Sequence, residues 1–329
     1  MSVLRYDVTT NDWVIYAPAR AQRPQPKLPR ASSEFEEQGV CPFCPGNEAL
    51  TPPEVDADRD GDGRWRVRVV PNKYPAFEAG TPNQHVQEGP MFRSMGGYGV
   101  HEALIESPEH DRSLGHQPAE QVERVLRAVH RRFIEHMRDP RLRAIVVFKN
   151  HGRRAGSTLK HPHWQIMATP IAPRLQRLKH AIATEHYDRT GDNLYRRLLE
   201  EEHAAQLRVL ASNPDFTAVL PYASHEAFHV RILPHEAQAS FANVAPHTIG
   251  ALADLLRSVL FRLDAALDDP AYNLTLTTAP RGDEDEPYFL WHIDILPRLA
   301  NRSGFELGSG LSVSTVLPEE AADLLRAAG

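Results

Sequence analysis

The order of segments between residues 101 and 165 recurs about 129 residues later, and that recurrence limits the fold more than any other feature of the chain. Val69-Val-Pro71 is echoed by Val219-Leu-Pro221, and His101-Glu-Ala-Leu-Ile-Glu-Ser-Pro108 by His229-Val-Arg-Ile-Leu-Pro234. Pro118 opens a stretch with apolar residues at 122, 125, 126, 129, 133 and 137; Pro246 opens another with them at 249, 252, 256, 259, 263 and 267. Steps of three and four put such residues on one face of a helix. Asp139-Pro140 and Asp269-Pro270 end the two helices, and a strand follows each, Leu142–Phe148 and Asn273–Thr277. His161-Pro-His163-Trp-Gln165 then matches Leu290-Trp-His292-Ile-Asp294. The pairs Pro118/Pro246, Pro140/Pro270 and His163/His292 are separated by 128, 130 and 129 residues, whereas chance matches would drift. The expected fold is therefore α+β, a tandem duplication in which each copy is an antiparallel sheet with packed helices. The copies are placed at residues 1–172 and 173–329.

The two copies differ in chemistry. On a strand, residues two apart share a face, so His161, His163 and Gln165 point one way and Trp164 the other. The loop Asn150-His-Gly-Arg-Arg-Ala-Gly-Ser-Thr158 leads into them. A neutral imidazole can attack phosphorus and hold a phosphoryl or nucleotidyl group covalently, which makes His163 the candidate nucleophile. Gly156, Ser157 and Thr158 offer N–H and hydroxyl donors for phosphate oxygens, and Gln165 an amide N–H. Gln165 cannot act as a proton donor in the way a histidine could, which suits a leaving group already stable as an anion, such as a sugar phosphate. In the second copy Leu290 and Asp294 replace His161 and Gln165, and the loop becomes the acidic Arg281-Gly-Asp-Glu-Asp-Glu286. That copy reads as degenerate, with His292 a leftover or structural residue.

Charge and cysteine usage narrow the class. A net charge of −6 with no basic run gives no reason to expect nucleic acid, so a phosphate ligand has to be met by local Arg and backbone groups. No apolar run reaches membrane-spanning length and the N-terminus lacks an apolar signal core, so a cytoplasmic enzyme is expected. The only two cysteines, Cys41 and Cys44, are spaced C-x-x-C, which reads as a redox pair or as half a zinc site. No thioredoxin-like βαβ context surrounds them, and His110 and His161 are available to complete a Cys2His2 set, which favours zinc. Arg20 and Arg23 follow the strand Asp12–Tyr16 and form a potential anion clamp. Residues 31–39 read as a polar linker, 77–99 as an irregular loop, and 173–210 as charged and helical with a solvated face. Gly304-Phe-Glu-Leu-Gly-Ser-Gly310 reads as a glycine-rich strand and turn, its glycines marking either close approach to a ligand or a bulge.

Taken together these motifs resemble the galactose-1-phosphate uridylyltransferase branch of the histidine-triad superfamily. The resemblance rests on Pro18-Ala-Arg20-Ala-Gln-Arg23-Pro24, Cys41-Pro-Phe-Cys44, Asn72-Lys-Tyr-Pro75, Ser107-Pro-Glu-His110, Asn150 through Gln165, and Gly304-Phe-Glu306. It implies two histidine-triad-like domains, zinc held by Cys41, Cys44, His110 and His161, and a homodimer. It implies ping-pong transfer of UMP from UDP-glucose to His163 and on to a hexose 1-phosphate such as galactose 1-phosphate. Gln165 would steady the phosphoryl oxygens and Asn150 would orient the phosphates. Arg20 and Arg23 would bind the diphosphate across the dimer interface, Asn72 would lie near the nucleoside, and Phe305 with Glu306 near the hexose. The chain departs from the family pattern at Trp164, where relatives carry Gly. It also has Leu290 where a second metal ligand is expected, and lacks the hexose-contacting Gln near Ser312. Asn72-Lys-Tyr-Pro-Ala76, His101-Glu-Ala103 and Phe305-Glu-Leu-Gly-Ser-Gly310 resemble the ADP-glucose phosphorylase side of the family, in which adenylyl is moved to inorganic phosphate. Hydrolysis of nucleotide conjugates, and a non-catalytic zinc-stabilised nucleotide-binding protein, are the competing expectations.

Overall fold

The structure is a computed structural model that describes residues 1–22, 28–35 and 39–329. The chain starts with a hairpin, Val3–Asp7 (β1) and Asp12–Tyr16 (β2). The first copy follows as Asp56–Arg59 (β3), Trp65–Pro71 (β4), a small hairpin of His85–Glu88 (β5) and Phe92–Met95 (β6), and Val100–Ile105 (β7). Ala119–Met137 (α1), Ala144–His151 (β8) and His163–Thr169 (β9) complete it. Arg174–Thr190 (α2) and Leu194–Ala205 (α3) lead into the second copy, Val209–Ser212 (β10), Phe216–Val219 (β11), Val230–Pro234 (β12), Ile249–Leu267 (α4), Tyr272–Thr277 (β13) and His292–Pro297 (β14). Gly304–Ser309 (α5), Ser312–Ser314 (β15) and Pro318–Ala327 (α6) close the chain.

The duplication is visible in the sheet. Ten strands pair in the order β10-β11-β12-β14-β13-β8-β9-β7-β4-β3, antiparallel throughout, so the two copies run outward from the β8–β13 junction in matching order. At the junction Asn150 lies opposite Asn273 and His151 opposite Tyr272. One face is covered by α1 and α4. Val122, Val125, Leu126, Val129 and Phe133 of α1 and Leu252, Leu256, Val259 and Leu263 of α4 share a single core with inward residues from both halves of the sheet. The helical periodicity is thus satisfied by burial, each fully buried Leu or Val contributing ~1.5–3 kcal/mol. No helix among the described residues is long and apolar enough to cross a membrane.

The opposite face separates the copies. Over the second copy it is roofed by α2 and α3, whose Ile182, Ala183, Leu194, Tyr195 and Leu199 pack on Val219, Leu233, Phe289 and Leu290. The stretch 173–210 therefore buries one side rather than presenting only a solvated one. Over the first copy the same face carries a small cluster of Phe43, Trp65, Val70, Ala103 and Ile105.

Three further expectations change. Residues 31–35 are not a free linker: Ala31 is fully buried, and Ala31 N and Ser32 N donate to the backbone and carboxylate oxygens of Asp269 at 2.8 Å each. Residues 36–38 lie outside the described part. The stretch 77–99 contains the β5–β6 hairpin. Gly304–Ser309 is a short helix with Gly310 at its C-cap, because Ser303 and Glu306 cap each other across its first turn, with Ser303 N donating to Glu306 Oε2 at 2.8 Å. The β1–β2 hairpin joins the C-terminal part of the chain, since β15 pairs with β2 in parallel and Tyr16 donates to the Ser224 carbonyl at 3.1 Å.

Candidate active site

Strand β9 places the motif. Trp164 points into the α1 side of the sheet and is 1% exposed, while His163 and Gln165 lie on the opposite face beside Ala103 and Ile105 of β7. The Trp164 indole N–H donates 2.8 Å to Glu106 Oε2, which also accepts from Lys149 Nζ at 2.8 Å. Glu106, Lys149 and Trp164 are all at most 1% exposed, so the departure at Trp164 is accommodated by a buried carboxylate that holds the indole and an ammonium together. Glu106 N donates 3.3 Å to Pro162 O, so the triad also fixes the entry to β9.

His163 has its ring nitrogens in distinct roles. Nδ1 lies 2.9 Å from the His161 carbonyl, which can only accept, so Nδ1 carries the proton and Nε2 keeps its lone pair. Burial disfavours the imidazolium and lowers the pKa, and the Lys149 cation lowers it further against the pull of the His161 carbonyl. The Phe43 ring stands edge-on to it at 5.3 Å. The result is a neutral imidazole held in one orientation.

His161 lies just before β9, and the Phe43 ring stands edge-on to it as well, at 6.1 Å. Its Nε2 donates 2.9 Å to Ser107 O, which leaves Nδ1 turned to Cys41 Sγ at 3.7 Å and Cys44 Sγ at 3.6 Å. His110 Nδ1 lies 3.2 Å from Cys44 Sγ, and the four ligand atoms lie within 4.8 Å of one another. A tetrahedral ion with metal–sulfur bonds of ~2.3 Å and metal–nitrogen bonds of ~2.0 Å gives sulfur–nitrogen edges of roughly 3.5 Å, as found here. Burial and then the adjacent Cys41 sulfur push the Cys44 thiol up to about 11, so two thiolates in this knuckle need a cation between them. The four residues are placed so that they could hold a metal ion.

The loop into β9 holds itself. Gly152 sits at φ 82°, with Ala31 and Ala271 so close that a Cβ would meet each at 2.8 Å. Gly156 N donates to Arg153 O at 2.9 Å, and Ser157 gives its N–H to Gly152 O at 3.1 Å and its hydroxyl to Leu159 O at 2.8 Å. These donors are therefore engaged inside the loop, while Thr158 is exposed and lines an open cleft of about 410 Å³ with Cys41, Cys44, His110, Arg153 and Lys160. A larger cavity, about 500 Å³, lies against α2 and α3 and contains none of the motif residues. Asn150 accepts at Oδ1 from Asn273 Nδ2 at 2.8 Å, and that same amide donates to Ala155 O at 2.7 Å. The second copy thereby sets the orientation of Asn150.

Asn72 joins the site through His101. Asn72 N donates to His101 O at 2.8 Å, its side chain accepts from Tyr74 N at 2.9 Å, and His101 Nε2 lies 2.8 Å from Gln165 Oε1. The structure thus brings Asn72, Asn150, His161, His163 and Gln165 onto one face beside the Cys41–Cys44 knuckle. It does not bring Arg20, Phe305 and Glu306 there within the described residues. Arg20 is exposed after β2, Phe305 is exposed on α5, and Glu306 is bonded to Ser303 and to Val313 N at 3.3 Å. All three flank the β1–β2–β15 sheet. Arg23 lies outside the described residues. Sequence reasoning gave no role to Phe43, Glu106, Lys149 and Asn273. It noticed His101 as a repeat marker and as part of a segment resembling the ADP-glucose phosphorylase side of the family, and His229 only as its echo, with no role for either.

In the second copy the geometry survives while access does not. His292 Nδ1 lies 3.0 Å from the Leu290 carbonyl, as in His163, but Nε2 meets Lys179 Nζ of α2 at 3.1 Å. Tyr195 of α3 lies over the His292 ring at 5.0 Å, and Asp294 is held by Arg231 at 2.7 Å. The degenerate site is roofed and filled by its own helices.

Comparison with known proteins gives the family of the chain as a whole. The family model described as "Galactose-1-phosphate uridyl transferase, N-terminal domain" matches residues 1–173. An ADP-glucose phosphorylase from Arabidopsis thaliana is 31% identical over 98% of this chain and 92% of its own length. The crystal structure of an ADP-glucose phosphorylase from the same plant with bound ADP-glucose superposes with a TM-score of 0.85 at 30% identity, covering 99% of both chains. A galactose-1-phosphate uridylyltransferase from Thermotoga maritima is 27% identical over 99% of this chain and 98% of its own.

Proposed function

Because the chain belongs to the galactose-1-phosphate uridylyltransferase family, we propose that it is a nucleotidyltransferase working by two displacements through a His163 adduct. His163 Nε2 attacks the phosphorus next to the nucleoside, the bond to the bridging oxygen breaks, and a sugar 1-phosphate leaves as an anion. An acceptor phosphate oxygen then attacks the same phosphorus, and the N–P bond breaks to return the neutral imidazole. The observation that supports this reading is the neutral His163, with Nδ1–H committed to the His161 carbonyl and Nε2 carrying the lone pair. Gln165 and Asn150 meet the phosphoryl oxygens, and Thr158 contributes from the loop after Gly156 and Ser157 have shaped it. Zinc is the ion proposed for Cys41, Cys44, His110 and His161, where it braces the start of β9.

For the substrate pair, likeness to the plant phosphorylase favours ADP-glucose with inorganic phosphate as acceptor. UDP-glucose with galactose 1-phosphate is the second reading, supported by the family model and the Thermotoga relative. The protein is proposed to act as a cytoplasmic homodimer, with residues 1–172 as the catalytic copy and 173–329 as the degenerate one. Arg20 and Arg23 then serve the diphosphate across the dimer interface, with Phe305 and Glu306 near the hexose. Product analysis with each donor, with and without its acceptor, tests the reading. Acceptor-dependent release of a nucleoside diphosphate or a new nucleotide sugar is expected. Free mononucleotide formed at the same rate without acceptor identifies a hydrolase instead.

A further inference from the structure

His101 sits on β7 diagonally across from Gln165 and has no part in the steps above. Its Nδ1 lies 3.2 Å from Ala76 N, a backbone N–H that can only donate, so Nδ1 is the unprotonated nitrogen. The proton is then on Nε2, which lies 2.8 Å from Gln165 Oε1 and 3.1 Å from Asn72 Nδ2. An amide NH2 cannot accept, and the Asn72 amide is held this way round by Tyr74 N on its oxygen at 2.9 Å. The Nε2 proton therefore goes to Gln165 Oε1. A carboxamide pinned by its oxygen has its NH2 turned away from His101.

The second copy repeats the contact. His229 Nε2, immediately before β12, lies 2.9 Å from Asp294 Oδ1 of β14, two residues ahead of Arg231 opposite Asp294, as His101 is two residues ahead of Ala103 opposite Gln165. There the acceptor is a carboxylate with two equivalent oxygens, and Arg231 and Lys179 bind it as well. A histidine donating to an oxygen on the neighbouring strand is thus common to both copies. Only in the first does the acceptor carry a donor whose direction matters.

We propose that His101 is a positioning residue that sets the face of the Gln165 carboxamide and so aims its N–H at the transferred phosphoryl group. This rests on the nucleotidyl-transfer reading above. A donor that meets charge developing at phosphorus has to be in place beforehand, and turning a carboxamide over replaces that donor with an acceptor.

The test is a double-mutant cycle on the full-length protein with its preferred nucleotide sugar. His101→Phe keeps a ring but removes both nitrogens; His101→Gln places an amide N–H near the Nε2 position. Thermal unfolding of each variant shows that it is folded. The expected result is a loss in kcat on the order of 10²-fold for His101→Phe with a much smaller change in KM, and recovery of most of it in His101→Gln. In a Gln165→Ala background His101→Phe should add almost nothing. An unchanged kcat in His101→Phe, or an equal loss with and without Gln165, overturns the proposal while leaving nucleotidyl transfer standing. A wild-type protein that turns over no nucleotide sugar overturns both.

Discussion

Trp164, Glu106 and Lys149 bury a charge pair directly behind His163, the proposed nucleophile. Both groups bond the same carboxylate oxygen at 2.8 Å, and Glu106 Oε1 has no partner among the described residues. A buried ion pair of this kind is costly to break from one side, because the remaining charge is left without compensation. Lys149→Met should therefore destabilise by ~3–5 kcal/mol, and adding Glu106→Gln should recover part of that. Trp164→Phe retains most of the ring packing and loses one bond, for ~1–3 kcal/mol. Chemical denaturation of the four proteins checks the order; equal stability for Lys149→Met and wild type would remove the triad from the account. Residue identities show why part of this was legible in the sequence. Alternation alone sends Trp164 to the face covered by α1 and His163 to the opposite face. Nothing in spacing pairs Glu106 with Lys149, because they meet only after β7 and β8 have both paired with β9.

The loop and the knuckle are elements assembled from distant segments. Asp269, just past the end of α4, accepts from Ser32 N at 2.8 Å and contacts His151 at 2.8 Å, which ties residues 31–35 to the loop start. Burial alone would raise its pKa, yet the bonds from His151 and Ser32 outweigh burial and hold its carboxyl well below the usual carboxylate range. A depressed native pKa contributes stability that is fully present above the ordinary aspartate value near ~4 and is lost as pH falls through and below it. Asp269→Asn should remove on the order of 2 kcal/mol at neutral pH and flatten the acid side of the stability curve. Denaturation midpoints measured from pH 7 down to pH 3 would show this, and parallel curves for the two proteins would contradict it. The sequence marked Asp269-Pro270 as a helix stop but left 31–39 as a linker, since polar composition does not reveal a partner 237 residues away. The knuckle was more legible, because two cysteines at C-x-x-C spacing offer few readings. Cys41→Ser should lower bound zinc below the one ion per chain expected for wild type, and lower the melting temperature with it. Metal analysis of both proteins decides it; equal zinc content would exclude the Cys2His2 site.

At the scale of the molecule the two copies share one sheet and one core. Asn273 in the second copy fixes Asn150 in the first, and α1 and α4 pack together over both halves. Residues 1–172 alone would expose the edge of β8 and the α4-facing side of α1, so separately expressed halves should aggregate or remain unfolded, and the intact chain should melt in one calorimetric transition. Two well-separated transitions would mean that the halves fold independently. The steady spacing of the repeat revealed the duplicated units from sequence. It did not reveal that the degenerate copy is roofed by α2 and α3, because a helical pair with a polar composition gives no sign of which sheet face it covers. The proposed functional asymmetry rests on that roof: His292 keeps the backbone bond that orients it, while Lys179 sits at its Nε2. The most direct measurement is therefore the intact mass of the protein after exposure to ADP-glucose or UDP-glucose without acceptor. One nucleotidyl group per chain is expected with at least one donor, lost on adding the matching acceptor, absent in His163→Ala and retained in His292→Ala. A chain that gains no mass with either donor, or that is still labelled in His163→Ala, would contradict it.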